Sequence, residues 1–266
     1  MKAQLFQVDA FADRPFEGNP AAVVPLDVWP EDTVLQAIAA ENNLAETAFF
    51  SPENGGFRLR WFTPTVEVDL CGHATLATAH VVFTKFGCTA PSIYFETRSG
   101  RLTVRREGDV LAMDFPAAVA KPMPEPEGLV RALGAKAVVY AKTSNILALF
   151  DSAGEVAALA PDFSMLKHVL VAQGNAGLIC TAPADRGSGF DFVSRFFAPA
   201  HGIDEDPVTG SAHCTSVPYW AKKLGRDDLI ARQISKRGGT LWCTAAGERV
   251  VIRGRCSDYL KGELEF

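Results

Sequence analysis

The alternation of hydrophobic and polar residues predicts a chain made mainly of short strands with a few helices between them. Residues 5–10 follow the two-residue period of a strand, and residues 19–25 form a second strand after a turn at Gly18. A helix is predicted to begin at Pro30 and to end near Asn43. The remaining strands are predicted over residues 45–50, 57–62, 93–97, 102–106, 110–115, 146–150, 169–172, 177–181, 190–197, 234–237, 240–244 and 249–253.

Two longer segments are predicted to be buried helices. Residues 74–83 present no charged face, so a helix from Gly72 to Phe86 is expected to be buried on most sides, for example wrapped by a sheet. A second helix is predicted over residues 211–224, and Pro218 within it is expected to produce a kink.

The segment that leads into each buried helix repeats the same order of residue types. An arginine, two aromatic residues and a closing proline occupy residues 60–64 and again residues 195–199. The spacing from Gly72 to Gly87 equals the spacing from Gly210 to Gly225. A duplicated unit predicts two similar halves that face each other across a cleft, with one helix N-terminus from each half available to a carboxylate. The alternative is chance similarity between two strand–turn–helix units.

A proline-rich connector at residues 116–126 marks the boundary between the two halves. We assign residues 1–117 to an N-terminal half with the first central helix. Residues 118–266 form a C-terminal half with the second central helix, and its tail is able to pack back on the first half.

Composition narrows the class of protein. The 266 residues are 48% hydrophobic and 21% charged, as in soluble globular proteins. The net charge of −5 argues against nucleic-acid binding. No apolar stretch reaches bilayer length, and the first residues do not form a signal peptide, so we expect a cytoplasmic protein with no membrane partner.

Glu46 is the first candidate for chemistry, because it is the only charge between residues 44 and 50. On an apolar strand face its carboxyl group would lose hydration, which raises a carboxyl pKa and suits general acid–base work near neutral pH. The alternatives are a carboxylate that reaches water at a sheet edge, or one paired with Arg58 or Arg60.

The starts of the two buried helices are the other candidates. Gly72 allows a ligand to approach the backbone, and the helix dipole is expected to disfavour the cationic form of His73. In the second copy, Thr209 and Ser211 offer hydroxyl groups beside free amides, and Asp206 offers a carboxylate. The alternative for each is plain helix capping.

Cysteine and histidine spacings indicate neither disulfides nor a metal site. No Cys-x-x-Cys pair occurs, so the six cysteines are expected to be reduced and mostly buried. Cys71 and His73 could share a metal ion, but no third ligand lies near them in the sequence. We therefore expect no metal and no cofactor.

The chain carries distinctive motifs at residues 9–11, 18–20, 43–47, 69–75 and 205–212. Together they give it a resemblance to PhzF-like (phenazine-biosynthesis-like) proteins and, more remotely, to diaminopimelate epimerase. The resemblance covers essentially the whole length. It implies an α/β (α+β) fold of two pseudo-symmetric halves, each a mostly antiparallel sheet or barrel wrapped around a central helix.

The resemblance also implies roles for particular residues. It assigns the catalytic glutamate to Glu46, with His73 and Asp206 completing the catalytic set. The founding enzyme of the family moves a proton along dihydro-hydroxyanthranilate without a cofactor, and it has Ser where this chain has Ala45. Substrate contacts are implied for Asn19, Gly72, Thr209, Gly210 and Ser211.

The epimerase comparison tests a mechanism that uses two thiols. Cys71 matches one of the two catalytic cysteine positions, but the other falls on Pro207, which has no proton to exchange. We therefore interpret Cys71 as a packed small residue.

The function expected from the sequence is a cofactor-independent isomerase that moves a proton on a small carboxylate-bearing metabolite. A homodimer is a possible assembly. The alternative function is a non-catalytic protein that binds a small metabolite in the same cleft.

Overall fold

The computed structural model describes residues 1–266, which divide into two compact units. The first unit comprises residues 1–114 together with 253–266, and the second comprises residues 115–252. The first unit therefore contains both the start and the end of the sequence, with the second unit inserted between them. No helix is both long enough and apolar enough to cross a membrane.

The first unit is a mostly antiparallel sheet with two helices. Only two of its strand pairs, β2 with β3 and β4 with β6, run parallel. The elements are β1 (Lys2–Ala10), β2 (Asn19–Pro25), α1 (Asp32–Asn42), β3 (Glu46–Glu53), β4 (Gly56–Phe62), β5 (Glu67–Val68), α2 (Gly72–Lys85), β6 (Ser92–Thr97), β7 (Gly100–Glu107), β8 (Val110–Pro116) and, from the end of the chain, β18 (Cys256–Glu265).

The second unit is also a mostly antiparallel sheet with helices. Its parallel pairs are β11 with β12 and β13 with β15. The elements are β9 (Lys121–Pro122), α3 (Leu129–Leu133), β10 (Val139–Lys142), β11 (Ile146–Leu149), α4 (Ala153–Ala158), α5 (Phe163–Ala172), β12 (Leu178–Pro183), β13 (Phe192–Ala198), a 3₁₀ turn (Pro199–His201), β14 (Ile203–Asp206), α6 (Gly210–Leu224), β15 (Asp228–Gln233), β16 (Gly239–Ala246) and β17 (Arg249–Gly254).

Each unit has one buried helix that connects two parallel strands. In the first unit, α2 connects β4 to β6 and packs against β1, β2, β3 and β18. Ten of its residues are buried, including every residue from His73 to Ala79. In the second unit, α6 connects β13 to β15 in the same way. The prediction of two buried helices is confirmed, the first from its uncharged face and the second from the repeat of the strand–turn–helix unit.

Pro218 interrupts the hydrogen bonding of α6 without ending the helix. A proline has no N–H to give to the carbonyl four residues earlier, which here belongs to Cys214. That carbonyl instead accepts a hydrogen bond of 3.0 Å from the backbone N–H of Ala118. The chain that enters the second unit therefore satisfies the group that the proline leaves open.

A bidentate arginine–glutamate pair precedes each buried helix. Arg60 on β4 donates two hydrogen bonds of 2.8 Å to the carboxylate of Glu67 on β5. Arg195 on β13 donates bonds of 2.7 and 2.9 Å to Glu205 on β14. All four side chains are largely buried. In both units the helix begins five residues after the glutamate, so the repeat seen in the sequence is also a structural repeat.

Two strand predictions in the second half are wrong. Residues 169–172 are the last turn of the helix α5, and Asp162 caps its start by accepting a hydrogen bond from the Met165 N–H. Residues 234–237 lie in the turn between β15 and β16, where the Ser235 hydroxyl accepts a hydrogen bond from the Gly238 N–H.

The arginine–glutamate pair in the second unit gives a direct test of what holds the start of α6. Replacing Arg195 by Met removes the partner of a largely buried carboxylate, so we expect Arg195→Met to lower the free energy of unfolding by about 3–5 kcal/mol. Urea denaturation measures this change. As a control, Lys2→Met breaks the exposed pair with Glu263 and should cost less than about 1 kcal/mol. Equal, small effects of the two substitutions would show that the buried pair does not secure the fold.

Candidate active site

Strand pairing in the first unit brings three of the predicted site residues together. β2 and β3 run parallel, with Ala21 paired to Glu46, so the starts of the two strands lie at the same edge of the sheet. Asn19 opens β2 at this edge and Glu46 opens β3. The start of α2, which packs on both strands, places His73 between them.

Glu46 and His73 form a close pair. Glu46 Oε2 lies 3.1 Å from His73 Nε2, and the two side chains are only 13% and 7% exposed. The contact is not aligned as a hydrogen bond, and neither atom has another hydrogen-bond partner. Buried polar atoms are almost always hydrogen-bonded, so this pair retains hydrogen-bonding capacity for a ligand.

The alternative partners of Glu46 are occupied elsewhere. The Arg60 guanidinium is held by Glu67 and by Asp32, at 2.8 Å each. The Arg58 guanidinium lies over the ring of Trp29. Glu46 is therefore paired with His73 and not with either arginine.

The protonation of His73 differs from the sequence expectation. Burial lowers the pKa of His73, whereas its interactions with Cys71 and with the Glu46 carboxylate raise it, and the balance lies well above the usual value. The sequence predicted that the helix dipole would disfavour the cation, which is wrong because the interactions with these two side chains act more strongly. The Glu46–His73 pair is thus favoured as an ion pair.

Cys71 also belongs to this group, although the sequence analysis interpreted it as a packing residue. Its Sγ lies 3.5 Å from His73 Nδ1, on the opposite side of the ring from Glu46. Burial raises the pKa of the Cys71 thiol, and the charge of Glu46 acts in the same direction. In the sequence, Cys71 could have been assigned to this group from its position two residues before His73, at the start of a predicted helix.

The structure supplies the third potential metal ligand that the sequence did not. Donor atoms of Glu46, Cys71 and His73 lie within 4.8 Å of one another. However, the thiol lies beside Nδ1 of the histidine and the carboxylate beside Nε2. The two partners therefore contact different nitrogens of the ring, and the group is a row of side-chain contacts that includes three potential metal ligands. The expected absence of a metal stays a prediction.

The start of α2 offers backbone amides to a ligand. No side chain caps this helix, whose first residue is Gly72. Uncapped amides at a helix N-terminus are suited to an anion, because they carry unused donors and the positive end of the helix dipole.

The start of α6 in the second unit is built in a similar way. This helix also lacks a side-chain cap, and Ser211 in its first turn is exposed. The Thr209 hydroxyl donates a hydrogen bond to the Asp206 carboxylate. Gly210 is the first residue of the helix and is buried. The participation of these four residues in one site with Glu46 stays a prediction.

Gln233 is a residue of this region that the sequence analysis missed. Its buried side chain accepts a hydrogen bond of 2.9 Å from the Thr209 N–H and donates one of 2.7 Å to the Asp206 carbonyl. It therefore fixes the turn before α6. No sequence signal links it to this turn, because 24 residues separate it from Thr209.

The chain is similar to known proteins along its whole length. A family model described as phenazine biosynthesis-like protein matches residues 8–262. An uncharacterized isomerase of Pseudomonas aeruginosa is 54% identical over 268 residues, which cover 100% of both chains. A crystal structure of a PhzF-family phenazine biosynthesis protein from Enterococcus faecalis is 41% identical, with a TM-score of 0.95 and full coverage of both chains.

A more distant structure supports the fold alone. A predicted epimerase from Pseudomonas aeruginosa is 22% identical and superposes with a TM-score of 0.77 over 99% of both chains. The predicted fold class, α/β with an epimerase-like arrangement of sheet and central helix, is thereby confirmed.

The ion pair at the candidate site makes a prediction about His73. Because the Glu46 carboxylate stabilises the imidazolium, Glu46→Gln should lower the pKa of His73, as followed by NMR titration. A group whose pKa is raised by folding stabilises the fold fully below its unfolded value of about 6.5, and loses that contribution as pH rises through the raised pKa. The stability lost in Glu46→Gln should therefore shrink as the pH is raised through that range.

The matched control is Glu53→Gln, at the other end of the same strand β3. It should leave the His73 titration unchanged. If the two variants shift the His73 titration equally, the Glu46–His73 pair has no special electrostatic role.

Proposed function

Because the chain belongs to the phenazine biosynthesis-like (PhzF) protein family, we propose that it is a cofactor-independent isomerase that moves a proton on a small carboxylate-bearing metabolite. The observation that carries the proposal is the partly buried Glu46–His73 pair, whose facing atoms lie 3.1 Å apart without an aligned hydrogen bond. The name of the Pseudomonas relative, an isomerase, supports the reaction type but gives no substrate.

The proposed reaction uses Glu46 as both base and acid. Its carboxylate takes a proton from a carbon of the substrate, and the electron pair of that C–H bond delocalises into the substrate. The protonated carboxyl group exchanges its proton with solvent and delivers a proton to a second carbon, so that Glu46 ends unchanged and the product is an isomer. The imidazolium of His73, held beside Glu46, would stabilise the negative charge that develops on the substrate.

The substrate carboxylate is proposed to bind backbone amides at a helix start. The uncapped start of α2 at Gly72 is adjacent to His73 and therefore to the proton-transfer group. From the second unit, the proposal assigns substrate positioning to Asp206 and carboxylate binding to Thr209, Gly210 and Ser211. These assignments rest on the family resemblance and on the uncapped start of α6. A homodimer is proposed on the resemblance alone.

Replacing the proposed base tests the reaction directly. Glu46→Gln retains the shape of the side chain but cannot transfer a proton, so we expect turnover to fall by roughly two to four orders of magnitude with binding largely retained. Candidate carboxylates from a thermal-shift screen would be incubated in D₂O, and deuterium at carbon would be measured by NMR or mass spectrometry. Glu53→Gln is the control and should exchange at the wild-type rate.

The same experiment separates catalysis from binding. An isomerase that works through Glu46 incorporates solvent deuterium into a carbon of its ligand, whereas a metabolite-binding protein does not. A carboxylate that binds tightly to the wild type but never exchanges would favour the binding protein over the isomerase.

A second prediction concerns the amides at the start of α2. A side chain at Gly72 would cover the first amides of the helix, so Gly72→Val should abolish carboxylate binding by the folded protein. The control is Gly154→Val in the exposed first turn of α4, where an added Cβ meets nothing closer than 3.9 Å. Affinity should be measured per folded molecule alongside the melting temperature. Binding by Gly72→Val that falls only in proportion to folded protein would mean that Gly72 serves helix packing.

A further inference from the structure

The Asn19 side chain contacts His73 on the side of the ring that faces away from Glu46. Its amide nitrogen lies 3.2 Å from His73 Nδ1, and Asn19 is fully buried. The family resemblance implies a substrate contact for this residue. Its burial and its contact with the imidazole point instead to a role that is exerted through His73.

The backbone holds Asn19 in a defined position. It pairs with Ala10 in the register of β1 and β2. The preceding Gly18 has a φ of +66°, and a Cβ there would lie 2.1 Å from the Ala10 carbonyl oxygen, so only glycine fits. The connecting loop is secured by Asp9, whose carboxylate accepts a hydrogen bond of 2.9 Å from the Phe16 N–H.

An asparagine can serve an imidazole in either protonation state. A neutral His73 with its proton on Nε2 has a bare Nδ1, which accepts a hydrogen bond from the Asn19 NH₂ group. An imidazolium carries a proton on Nδ1 and needs an acceptor, which Asn19 provides when its amide rotates to present Oδ1. An ionised aspartate only accepts, so it could not serve the neutral tautomer that carries its proton on Nε2, and a leucine would serve neither form.

Besides Asn19, two ionisable side chains contact the His73 ring, Glu46 at Nε2 and Cys71 near Nδ1. The Cys71 thiol is a weak hydrogen-bond donor and acceptor. Asn19 is therefore the only strong neutral partner among the groups that contact Nδ1. It adds no charge of its own to the ring.

We propose that Asn19 is a positioning residue that keeps His73 directed at Glu46 in both the neutral and the cationic state. This inference deepens the proposed isomerase function and rests on it for its catalytic meaning. The contact between Asn19 and the ring is nevertheless a property of the ligand-free protein. It is therefore open to a measurement that needs no substrate.

The test compares Asn19→Asp and Asn19→Leu with the wild type by NMR of the His73 ring nitrogens, assigned by their loss in His73→Gln. An aspartate at this position would bind the imidazolium, so Asn19→Asp should raise the pKa of His73 by about one unit, a tenfold change in the protonation equilibrium. Asn19→Leu should lower that pKa and make the two neutral tautomers of the ring more equally populated. Asn145→Asp is the control, because it likewise converts a hydrogen-bonded amide to a carboxylate, but at a half-buried position in the second unit. It should leave His73 unchanged.

The result that would overturn the inference is a His73 titration and tautomer in Asn19→Asp that match the wild type. If Asn19→Leu does not fold, the nearly isosteric Asn19→Asp decides alone. Deuterium exchange by the wild type tests the proposed function separately. A protein that never exchanges deuterium but shows the Asn19→Asp shift would retain the positioning role and lose the isomerase assignment.

Discussion

The bidentate arginine–glutamate pair is the interaction on which the repeated architecture depends. Two buried charges cost several kcal/mol to desolvate, and the two parallel N–H···O bonds offset that cost together with the further hydrogen bonds that each arginine donates. In each unit the pair joins an aromatic strand to the short strand that precedes the buried helix. Because the glutamate lies five residues before the helix, the same contact that fixes the short strand also fixes where the helix begins.

The parts of the fold that could be predicted are those with a strong local signal. The start of α2 could be predicted because a glycine precedes a long run without a charged face, and β2 could be predicted from its apolar composition. The helix α5 could not be predicted, because the Val-Leu-Val-Ala run at its end has the composition of a strand. β18 was missed because its residues are largely exposed, and its pairing with β1 depends on residues at the other end of the sequence.

The candidate site shows a similar limit. Glu46 and His73 could each be selected from local composition, but nothing local shows that they contact each other. Their contact arises from the parallel pairing of β2 with β3 and from the packing of α2 on both strands. For the same reason, the sequence wrongly predicted that the cationic form of His73 is disfavoured. The helix dipole is a local property, whereas the charge of Glu46 reaches the ring only in the folded unit.

The pairing of β1 with β18 has a consequence for synthesis on the ribosome. The first unit contains Glu46 and His73, yet it takes its last strand from residues 256–265. While the chain is still being made, β1 has β2 beside it but lacks its partner on the other side. The second unit, whose residues are contiguous, can complete its own sheet first. The unit that carries Glu46 and His73 is thus the last to receive all of its strands.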